Sequence, residues 1–297
     1  MGGERPSRNG TIIFRVSGTL YVVATPIGNL EDITLRALRV LREVDVIAAE
    51  DTRRTARLLS HYGIQTRSIS FHDHNVRSRL PALIAQLEKG ASVALVSDAG
   101  TPAVSDPGVE LVQACIARAI PIDVVPGPSA VVTALVASGF PTAPVTFMGF
   151  APARAKDRAS WLSDVATIKS TVVFFETPHR IRALLDEAVH ILGERPLFVG
   201  RELTKTHQEY LRGTADAIGK CLKLPRGEFT VVVAPLAIQP NISGPAPQGS
   251  KLTDEFGLLT EFRGLTRRAA IAELASKYGL SSREVYARLE AAKRPVS

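Results

Sequence analysis

The sequence predicts an α/β fold made of two α/β halves followed by a small helical tail. Short apolar runs rich in Val, Ile and Ala alternate with stretches of helical periodicity, which is typical of parallel strands covered by helices. Hydrophobic residues make up 45% of the 297 residues and aromatic residues only 6%, so aliphatic side chains must fill the core. This composition excludes disordered and fibrous proteins.

The first half carries four predicted strands, each separated from the next by a loop or a helix. The apolar runs that predict these strands are residues 20–24, 46–49, 93–96 and 122–125. Helical spacing of apolar residues predicts helices over 35–44, 79–89 and 110–119. Such alternation implies right-handed crossovers and a largely parallel sheet.

In the second half, the alternation of predicted strands and helices resumes after the Pro-rich segment 140–144. Strands are predicted at 171–175, 197–199 and 229–233, with a helix over 181–192. A Pro/Gly/Ser-rich linker then leads into a helical hairpin, whose second helix has a capping box between Ser281 and Glu284. The predicted organisation is an arm at 1–17, an N-terminal α/β domain at 18–138, a C-terminal α/β domain at 139–238, a linker at 239–250 and a helical tail at 251–297.

Basic residues exceed acidic ones by 36 to 29, which favours a polyanionic partner. The excess is concentrated in residues 52–81. This segment contains one acidic residue, Asp73, three histidines and six arginines: Arg53, Arg54, Arg57, Arg67, Arg77 and Arg79. We interpret this segment as a basic loop that contacts a phosphate backbone; the alternative is a solvated charged face. Two cysteines form no disulfide framework, and no apolar run reaches the roughly 18 residues that cross a bilayer, so a soluble cytoplasmic protein is expected.

Three Pro/Gly-rich loops follow predicted strands of the first half, at residues 25–30, 97–108 and 126–130. Loops at the carboxyl ends of parallel strands form the ligand crevice of open α/β sheets. Gly100, Gly108 and Gly127 allow backbone amides to approach a ligand closely. The usual nucleotide signatures, a Walker loop or a GxGxxG turn, are absent from the sequence, so different loops must hold the ligand.

Carboxylates accompany these loops and are candidate general bases. The four candidates are Glu50, Asp51, Asp98 and Asp106. The sequence does not choose among them, and the first two alternatively form ion pairs with the arginines that follow. His72 and His74 lack further ligands at metal spacing, so they fit an acceptor site better than a metal site.

Five segments resemble the ribose 2′-O-methyltransferases of the tetrapyrrole methylase (class III) family, in the family's order. They are TPIGNLEDIT at 25–34, AEDTRRT at 49–55, DAGTPAVSDPGV at 98–109, VPGPSA at 125–130 and FVGRELTKTHQE at 198–209. Tetrapyrrole-directed relatives carry Gly-Asp-Pro where this chain has Gly100-Thr101-Pro102. This difference argues against a tetrapyrrole substrate.

The resemblance implies an S-adenosylmethionine site, without metal, in a cleft between two α/β domains of a homodimer. Its cofactor residues would be Pro26, Ala99, Gly100, Thr101, Val104, Ser129, Ala130 and Glu176. The implied acceptor is a decoding-region cytidine of 16S rRNA within the 30S subunit. From the basic segment and the charges near the loops, the residues expected to contact it are Arg53, Arg54, Arg57, His72, His74, Arg77 and Lys205. A class III methyltransferase of a small molecule, such as a tetrapyrrole, and a non-enzymatic RNA-binding module are the alternatives.

Overall fold

A computed structural model describes residues 18–223, 226–236, 249–257, 259–260, 265–278 and 281–292. The predicted arm at 1–17 and residues 239–248 of the predicted linker lie outside this part. The chain divides into two units, the first ending at Pro235 and the second beginning at Leu236. Both sheets belong to the first unit, and the boundary predicted near residue 138 remains a prediction.

The first sheet has five parallel strands in the order β3-β2-β4-β1-β5. Its strands are β1 (Leu20–Val23), β2 (Val46–Ala49), β3 (Ser68–Ser70), β4 (Val93–Val96) and β5 (Ile122–Val125). The helices between and after them are α1 (Leu35–Glu43), α2 (Thr52–His61), α3 (Val76–Glu88), α4 (Val109–Ala117) and α5 (Ala130–Ser138). Strands β2 and β4 are buried along their whole length because apolar clusters cover both faces of the sheet.

The second sheet is mixed, with the order β6-β7-β10-β8-β9. Its strands are β6 (Val145–Phe150), β7 (Thr171–Glu176), β8 (Leu197–Arg201), β9 (Glu209–Gly213) and β10 (Phe229–Val233). The helices of this half are α6 (Ala155–Thr167), α7 (Ile181–Leu192) and α8 (Ala215–Cys221). Strands β6 and β7 pair in parallel, whereas the other pairs are antiparallel.

Helix α5 joins the two halves of the first unit. Its side chains Ala134 and Leu135 are buried with Val173, Phe198 and Val232 of the second sheet. A helix that follows β5 in sequence therefore covers one face of the other sheet. This packing holds the loop before α5 beside both sheets.

The α/β fold predicted from the sequence is confirmed, but strands β3, β6 and β9 and helices α2, α6 and α8 were not predicted. Strands β3, β6 and β9 were missed because they are short, bulged or at an edge of a sheet. The interpretation of residues 52–81 as a loop is wrong, since α2, β3 and the start of α3 occupy this segment. Helix α2 forms because Asp51 caps it and Thr55, Leu58 and Leu59 provide a buried face.

In the part of the tail that the structure describes there are three helices, α9 (Gly249–Gly257), α10 (Arg267–Tyr278) and α11 (Ser282–Ala292). The predicted hairpin corresponds to the last two, and α9 adds Leu252 to their apolar cluster. The predicted capping box is present: Ser281 N donates to Glu284 Oε2 at 2.7 Å, and Glu284 N donates to Ser281 Oγ at 3.2 Å. None of the helices among the described residues combines the length and apolar character that crossing a bilayer requires.

Candidate active site

A cavity of about 390 Å³ lies where the three Pro/Gly-rich loops meet the second sheet. Its size suits a small organic ligand. Thr101 and Ser129, which belong to different loops, both line it. The first half contributes Ile27, Glu50, Arg54, Asp98, Ala99, Gly100, Thr101, Val104, Asp106, Ser129, Ala130 and Val131, and the second contributes Phe150, Phe175, Glu176, Thr177, Pro178, Leu203, Glu228, Phe229 and Thr230.

Backbone hydrogen bonds fix the loops that form the cavity wall. Thr25 N donates to Gly100 O at 2.9 Å, and Gly100 N donates to Thr25 O at 3.0 Å. This reciprocal pairing requires the positive φ of 77° at Gly100, a conformation that glycine adopts without steric cost. In the third loop, Ser129 Oγ accepts a hydrogen bond from Val132 N and caps α5, so this amide already has a partner.

Carboxylates at the ends of β2 and β4 hold each other in place. Asp98 N donates to Glu50 Oε2 at 3.2 Å, and Asp51 N donates to Asp98 Oδ1 at 3.1 Å. The second oxygen of Asp98 forms an ion pair with Arg54 of α2 at 3.4 Å. Two of these carboxylates therefore have positioning roles, and Arg54 connects the cavity wall to the arginine-rich helix.

The carboxyl group of Asp106 has an unusual acidity. Burial raises its pKa to about 7, and repulsion from Glu50 and Asp98 adds to this effect. Burial also raises the pKa of Glu50. The pKa of Asp51, in contrast, is lowered to about 2 by its hydrogen bonds with Arg53.

Two residues expected at the site lie off the cavity wall. Asp51 is the N-cap of α2 and forms an ion pair with Arg53 at 3.0 Å, so its carboxylate stabilises the first turn of the helix. Pro26 is not among the lining residues in the described chain, and its neighbour Ile27 takes this place. The other predicted cofactor residues and the candidate bases Glu50, Asp98 and Asp106 all line the cavity.

The predicted RNA-contacting residues differ in whether they line the cavity. Arg54 lines it, whereas Arg57 and Arg77 are exposed on α2 and on the first turn of α3. The rings of His72 and His74 pack edge to face with centroids 5.9 Å apart. No cluster of three potential metal ligands occurs among the described residues.

Lys205 is an exception among the expected RNA contacts because two carboxylates bind it. Its Nζ lies 2.9 Å from Glu202 Oε1 and 3.0 Å from Glu228 Oε2. Burial opposes the effect of these two hydrogen bonds, which nevertheless raise the pKa of Lys205. The positive charge of Lys205 is therefore paired with two carboxylates, one of which, Glu228, lines the cavity.

Residues 202–208, which we call the strap, belong to one of the family-like segments, but their contact with the first ligand loop was not predicted from the sequence. The strap crosses from the second sheet to the first ligand loop, where Asn29 N donates to Thr204 Oγ1 at 3.0 Å. Glu202 and Thr204 have positive φ angles of 51° and 65°, an uncommon conformation for residues other than glycine. At Gly28 the two segments touch, since a Cβ there would lie 2.8 Å from Leu203 O and 2.5 Å from Lys205 Cγ.

We expect Gly28→Ala to destabilise the protein by about 1–3 kcal/mol, because the added methyl group collides with the strap backbone. Urea unfolding measures this change. The matched control is Gly219→Ala in α8, where an added Cβ meets no atom within 4 Å of the described structure. This control should gain about 0.5–1 kcal/mol from helix propensity. Equal stabilities of the two variants would show that the strap does not pack closely against Gly28.

The parallel sheet, the mixed sheet and the loop-lined cavity together define a class of protein. Residues 19–219 match the tetrapyrrole (corrin/porphyrin) methylases, and the chain belongs to this family. A ribosomal RNA small subunit methyltransferase I from Halalkalibacterium halodurans is 49% identical over 218 residues, covering 73% of this chain and 75% of the relative. The protein of the same name from Synechocystis is 44% identical over 277 residues, covering 91% and 96%.

The fold has a counterpart among solved structures. A uroporphyrin-III C-methyl transferase from Thermus thermophilus, complexed with S-adenyl homocysteine, superposes with a TM-score of 0.52. It is 17% identical in sequence, and the match covers 72% of this chain and 97% of that one. At this identity the likeness concerns the fold alone.

Proposed function

We propose that this protein transfers a methyl group from S-adenosylmethionine to the ribose 2′-hydroxyl of a cytidine in 16S rRNA. The observation that carries the proposal is one cavity, built from the three family loops, whose wall includes Arg54 of the arginine-rich helix α2. The curated relatives support the choice of substrate, since they are named for small-subunit ribosomal RNA. Thr101 in place of the Asp of the tetrapyrrole-directed pattern is a second argument against a tetrapyrrole acceptor.

The cavity fits the methyl donor in size and in charge. Five carboxylates and one guanidinium line it among the described residues, so its wall is net negative and complements a cationic sulfonium. Ala99, Gly100, Thr101, Val104, Ser129 and Ala130 would hold the donor from the first half and Glu176 from the second. When bound, S-adenosylmethionine supplies a methyl group that its sulfonium has already activated.

Among the cavity carboxylates, Asp106 is best suited to accept the proton of the ribose hydroxyl. A general base works best when its pKa lies near the operating pH, and the pKa of Asp106 is about 7. Glu50 and Asp98 are occupied with backbone amides, and Asp51 lies outside the cavity wall. In this mechanism Glu50 and Asp98 position the site, and Asp106 takes the proton.

The exposed arginines on α2, the helix that also carries the cavity residue Arg54, and on the first turn of α3 provide the proposed track for the sugar-phosphate chain. Arg57 and Arg77 are expected to contact phosphates, so the double variant Arg57→Ala/Arg77→Ala should weaken RNA binding and reduce the slope of log K against log salt by about 2. Filter binding at several salt concentrations measures this slope. Arg39→Ala is the control, because Arg39 is exposed on α1 and paired with Glu43. An unchanged slope in the double variant would place the RNA elsewhere.

The proposed assembly is a cytoplasmic homodimer that acts on the assembled 30S subunit. Apolar side chains are exposed at the start of α1, on the edge strand β5 and along α5, as expected of a surface that another chain covers. They are Leu35, Val124, Val132 and Val136, which are between 53% and 85% exposed. Sedimentation at micromolar concentration tests the dimer.

Transfer of tritium-labelled methyl groups tests the proposed reaction in purified form. The acceptors are 30S subunits lacking the modification, naked 16S rRNA and a tetrapyrrole. Label in the ribose of one cytidine of the 30S particle is the expected result. Label in the tetrapyrrole alone would favour a small-molecule methyltransferase, and RNA binding without calorimetric binding of S-adenosylmethionine would favour a non-enzymatic module.

A further inference from the structure

The turn between β3 and α3, residues 71–75, contains a buried ring nitrogen without a partner. His72 Nδ1 is buried and has no hydrogen-bond partner within the described chain. The residue as a whole is half-buried, so part of the imidazole reaches the surface. The exposed His74 packs its ring against it edge to face. A buried polar atom in this state needs an explanation, because nearly all such atoms in folded proteins have a partner.

Burial of Nδ1 determines which ring nitrogen of His72 carries the proton. A proton on Nδ1 would make it a buried donor without an acceptor, which is unfavourable. In the neutral imidazole the proton therefore lies on Nε2, at the opposite edge of the ring. His72 thus presents a neutral N–H donor, and the matching group on a ligand is an oxygen that accepts a hydrogen bond.

Hydrogen bonds within the turn hold the backbone of His72. Its N donates to Asn75 Oδ1 at 2.9 Å, and its O accepts from Asn75 N at 2.8 Å and from Val76 N at 3.1 Å. Asn75 Nδ2 donates in addition to Ser70 O at 3.3 Å. Asn75 occupies the N-cap position of α3 but makes no capping hydrogen bond, so its side chain stabilises the turn instead of the helix.

The turn lies at the carboxyl edge of the first sheet, beside the cavity carboxylates. Phe71 N donates to Ala49 O at 2.8 Å, and the next residue of that strand end, Glu50, lines the cavity. Burial raises the pKa of Glu50, and the charge of Asp73 adds to this effect, so the turn is within electrostatic range of the cavity. His72 itself is not among the lining residues of the described chain. The turn is a neighbour of the ligand cavity and not part of its wall.

The charges around the turn favour a phosphate as the group that supplies the oxygen. Arg77 and Arg79 are exposed on the first turn of α3, whereas Asp73 is the only acidic residue in 52–81. The arginines attract an anion and the carboxylates of the cavity wall repel one, which directs a phosphate toward the turn. A neutral donor adds little long-range attraction, so His72 contributes to the alignment of the strand more than to its affinity.

We propose that the β3–α3 turn binds one phosphate group of the acceptor RNA, with His72 donating from Nε2 to a non-bridging oxygen. Asn75, which acts through the backbone of His72, is a positioning residue. This inference rests on the proposed function, because it needs an RNA acceptor. It adds a contact outside the cavity that fixes where the strand lies when the ribose hydroxyl meets the methyl donor.

Substitutions that mimic one ring nitrogen at a time test the hydrogen bond. The side-chain amide nitrogen of Gln lies near the position of Nε2, and that of Asn lies near the position of Nδ1. His72→Gln should keep kcat/KM for 30S subunits within about threefold of wild type, whereas His72→Asn and His72→Phe should lower it by about tenfold. Calorimetric affinity for S-adenosylhomocysteine should not change, since His72 lies off the cavity wall.

His61→Phe is the matched control, because His61 is exposed at the end of α2, away from the turn. Wild-type kcat/KM in all three His72 variants would overturn the contact. A loss in His72→Gln together with wild-type activity in His72→Asn would also overturn it, because Nδ1 would then be the donor.

Asn75→Ala tests the same contact if the His72 variants do not fold. It removes the acceptor of His72 N and should lower kcat/KM for 30S subunits by at least about threefold, with unchanged affinity for S-adenosylhomocysteine. Ser78→Ala is the control, because Ser78 Oγ donates to Asn75 O at 2.9 Å without contacting His72. Equal kcat/KM values of the two variants would overturn the positioning role of Asn75.

Sulfur substitution of single phosphate oxygens identifies the group that the turn binds. The acceptors are 30S subunits reconstituted with 16S rRNA that carries phosphorothioates at random positions, since sulfur is a weak hydrogen-bond acceptor. In the wild type, sulfur at one phosphate near the modified cytidine should reduce methylation. This dependence should disappear at that phosphate in His72→Phe and Asn75→Ala, and it should persist in Arg57→Ala.

The phosphorothioate experiment separates failure of the phosphate contact from failure of the proposed function. If the wild type methylates rRNA and His72→Phe shows the same dependence at every phosphate, the contact is overturned and the proposed function stands. If the wild type methylates no rRNA, the proposed function fails and the contact fails with it.

Discussion

Asp106→Asn is expected to lower the rate of methyl transfer by about 10²–10⁴-fold and to raise thermal stability at pH 8. The rate falls because an amide does not accept the hydroxyl proton. Stability rises because the folded protein holds the Asp106 proton up to a pKa of about 7, whereas an exposed Asp has a pKa near 3.8. Between these values the unfolded state is the more ionised one, so increasing pH weakens folding until the full penalty is reached above pH 7.

The variant removes this penalty, which we put at about 1–2 kcal/mol after allowing for solvent screening at the partly exposed site. Rate against pH and melting temperature against pH are the two measurements. The wild-type rate should rise as the pH passes through about 7, and the stability gain of Asp106→Asn should vanish near pH 4. Asp123→Asn, which alters an exposed ion pair with Arg36, is the control for the rate profile and for the melting-temperature profile. A fully active Asp106→Asn enzyme would assign the base to another group.

Arg195→Met should cost about 3–5 kcal/mol of folding free energy, the largest stability loss that we expect from a single substitution. Arg195 is 8% exposed, and carbonyl groups surround its guanidinium. It donates to Ala234 O at 2.7 Å, Val165 O at 2.8 Å and Ile168 O at 2.9 Å. Removing the donors leaves buried carbonyls without partners and disconnects the end of α6 from the end of β10.

Urea unfolding with a two-state fit gives the free energy change. Arg195→Lys should lose less than Arg195→Met, because an ammonium reaches some of the same carbonyls. Arg39→Met, which breaks an ion pair whose side chains are each 60% exposed, should change stability by at most about 0.5 kcal/mol. If Arg195→Met lost no more than this control, the carbonyl cluster would not be a significant source of stability.

Local sequence signals predicted the buried strands and the edge strand β5, but not the edge strands β3, β6 and β9. Strands β2 and β4 are continuous apolar runs, because helices cover both of their faces. Strand β3 has three residues, and β9 alternates half-buried with exposed residues at an edge, so neither produces an apolar run. Helix α2 was not predicted because its arginines dominate the local sequence pattern. Its buried side chains form only a narrow apolar stripe.

The parts of the candidate site that lie within a single, compositionally distinct segment could be predicted from the sequence. Gly and Pro mark the loops at 97–108 and 126–130, and both line the cavity. The contact of the strap with Asn29 was not predicted, because it spans 175 residues of sequence and depends on the folded geometry. The raised pKa of Asp106 could not be predicted from the sequence either, because it results from burial and from neighbouring carboxylates in the folded protein.

Mass spectrometry of 16S rRNA nucleosides from cells that lack the protein tests the proposed ribose methylation in its natural setting. We expect one 2′-O-methylated cytidine to lose its ribose methyl group. A plasmid carrying the wild-type chain should restore this methyl group, and one carrying Asp106→Asn should not. An unchanged set of ribose methylations in the deleted strain would show that the protein is not the ribose methyltransferase proposed above.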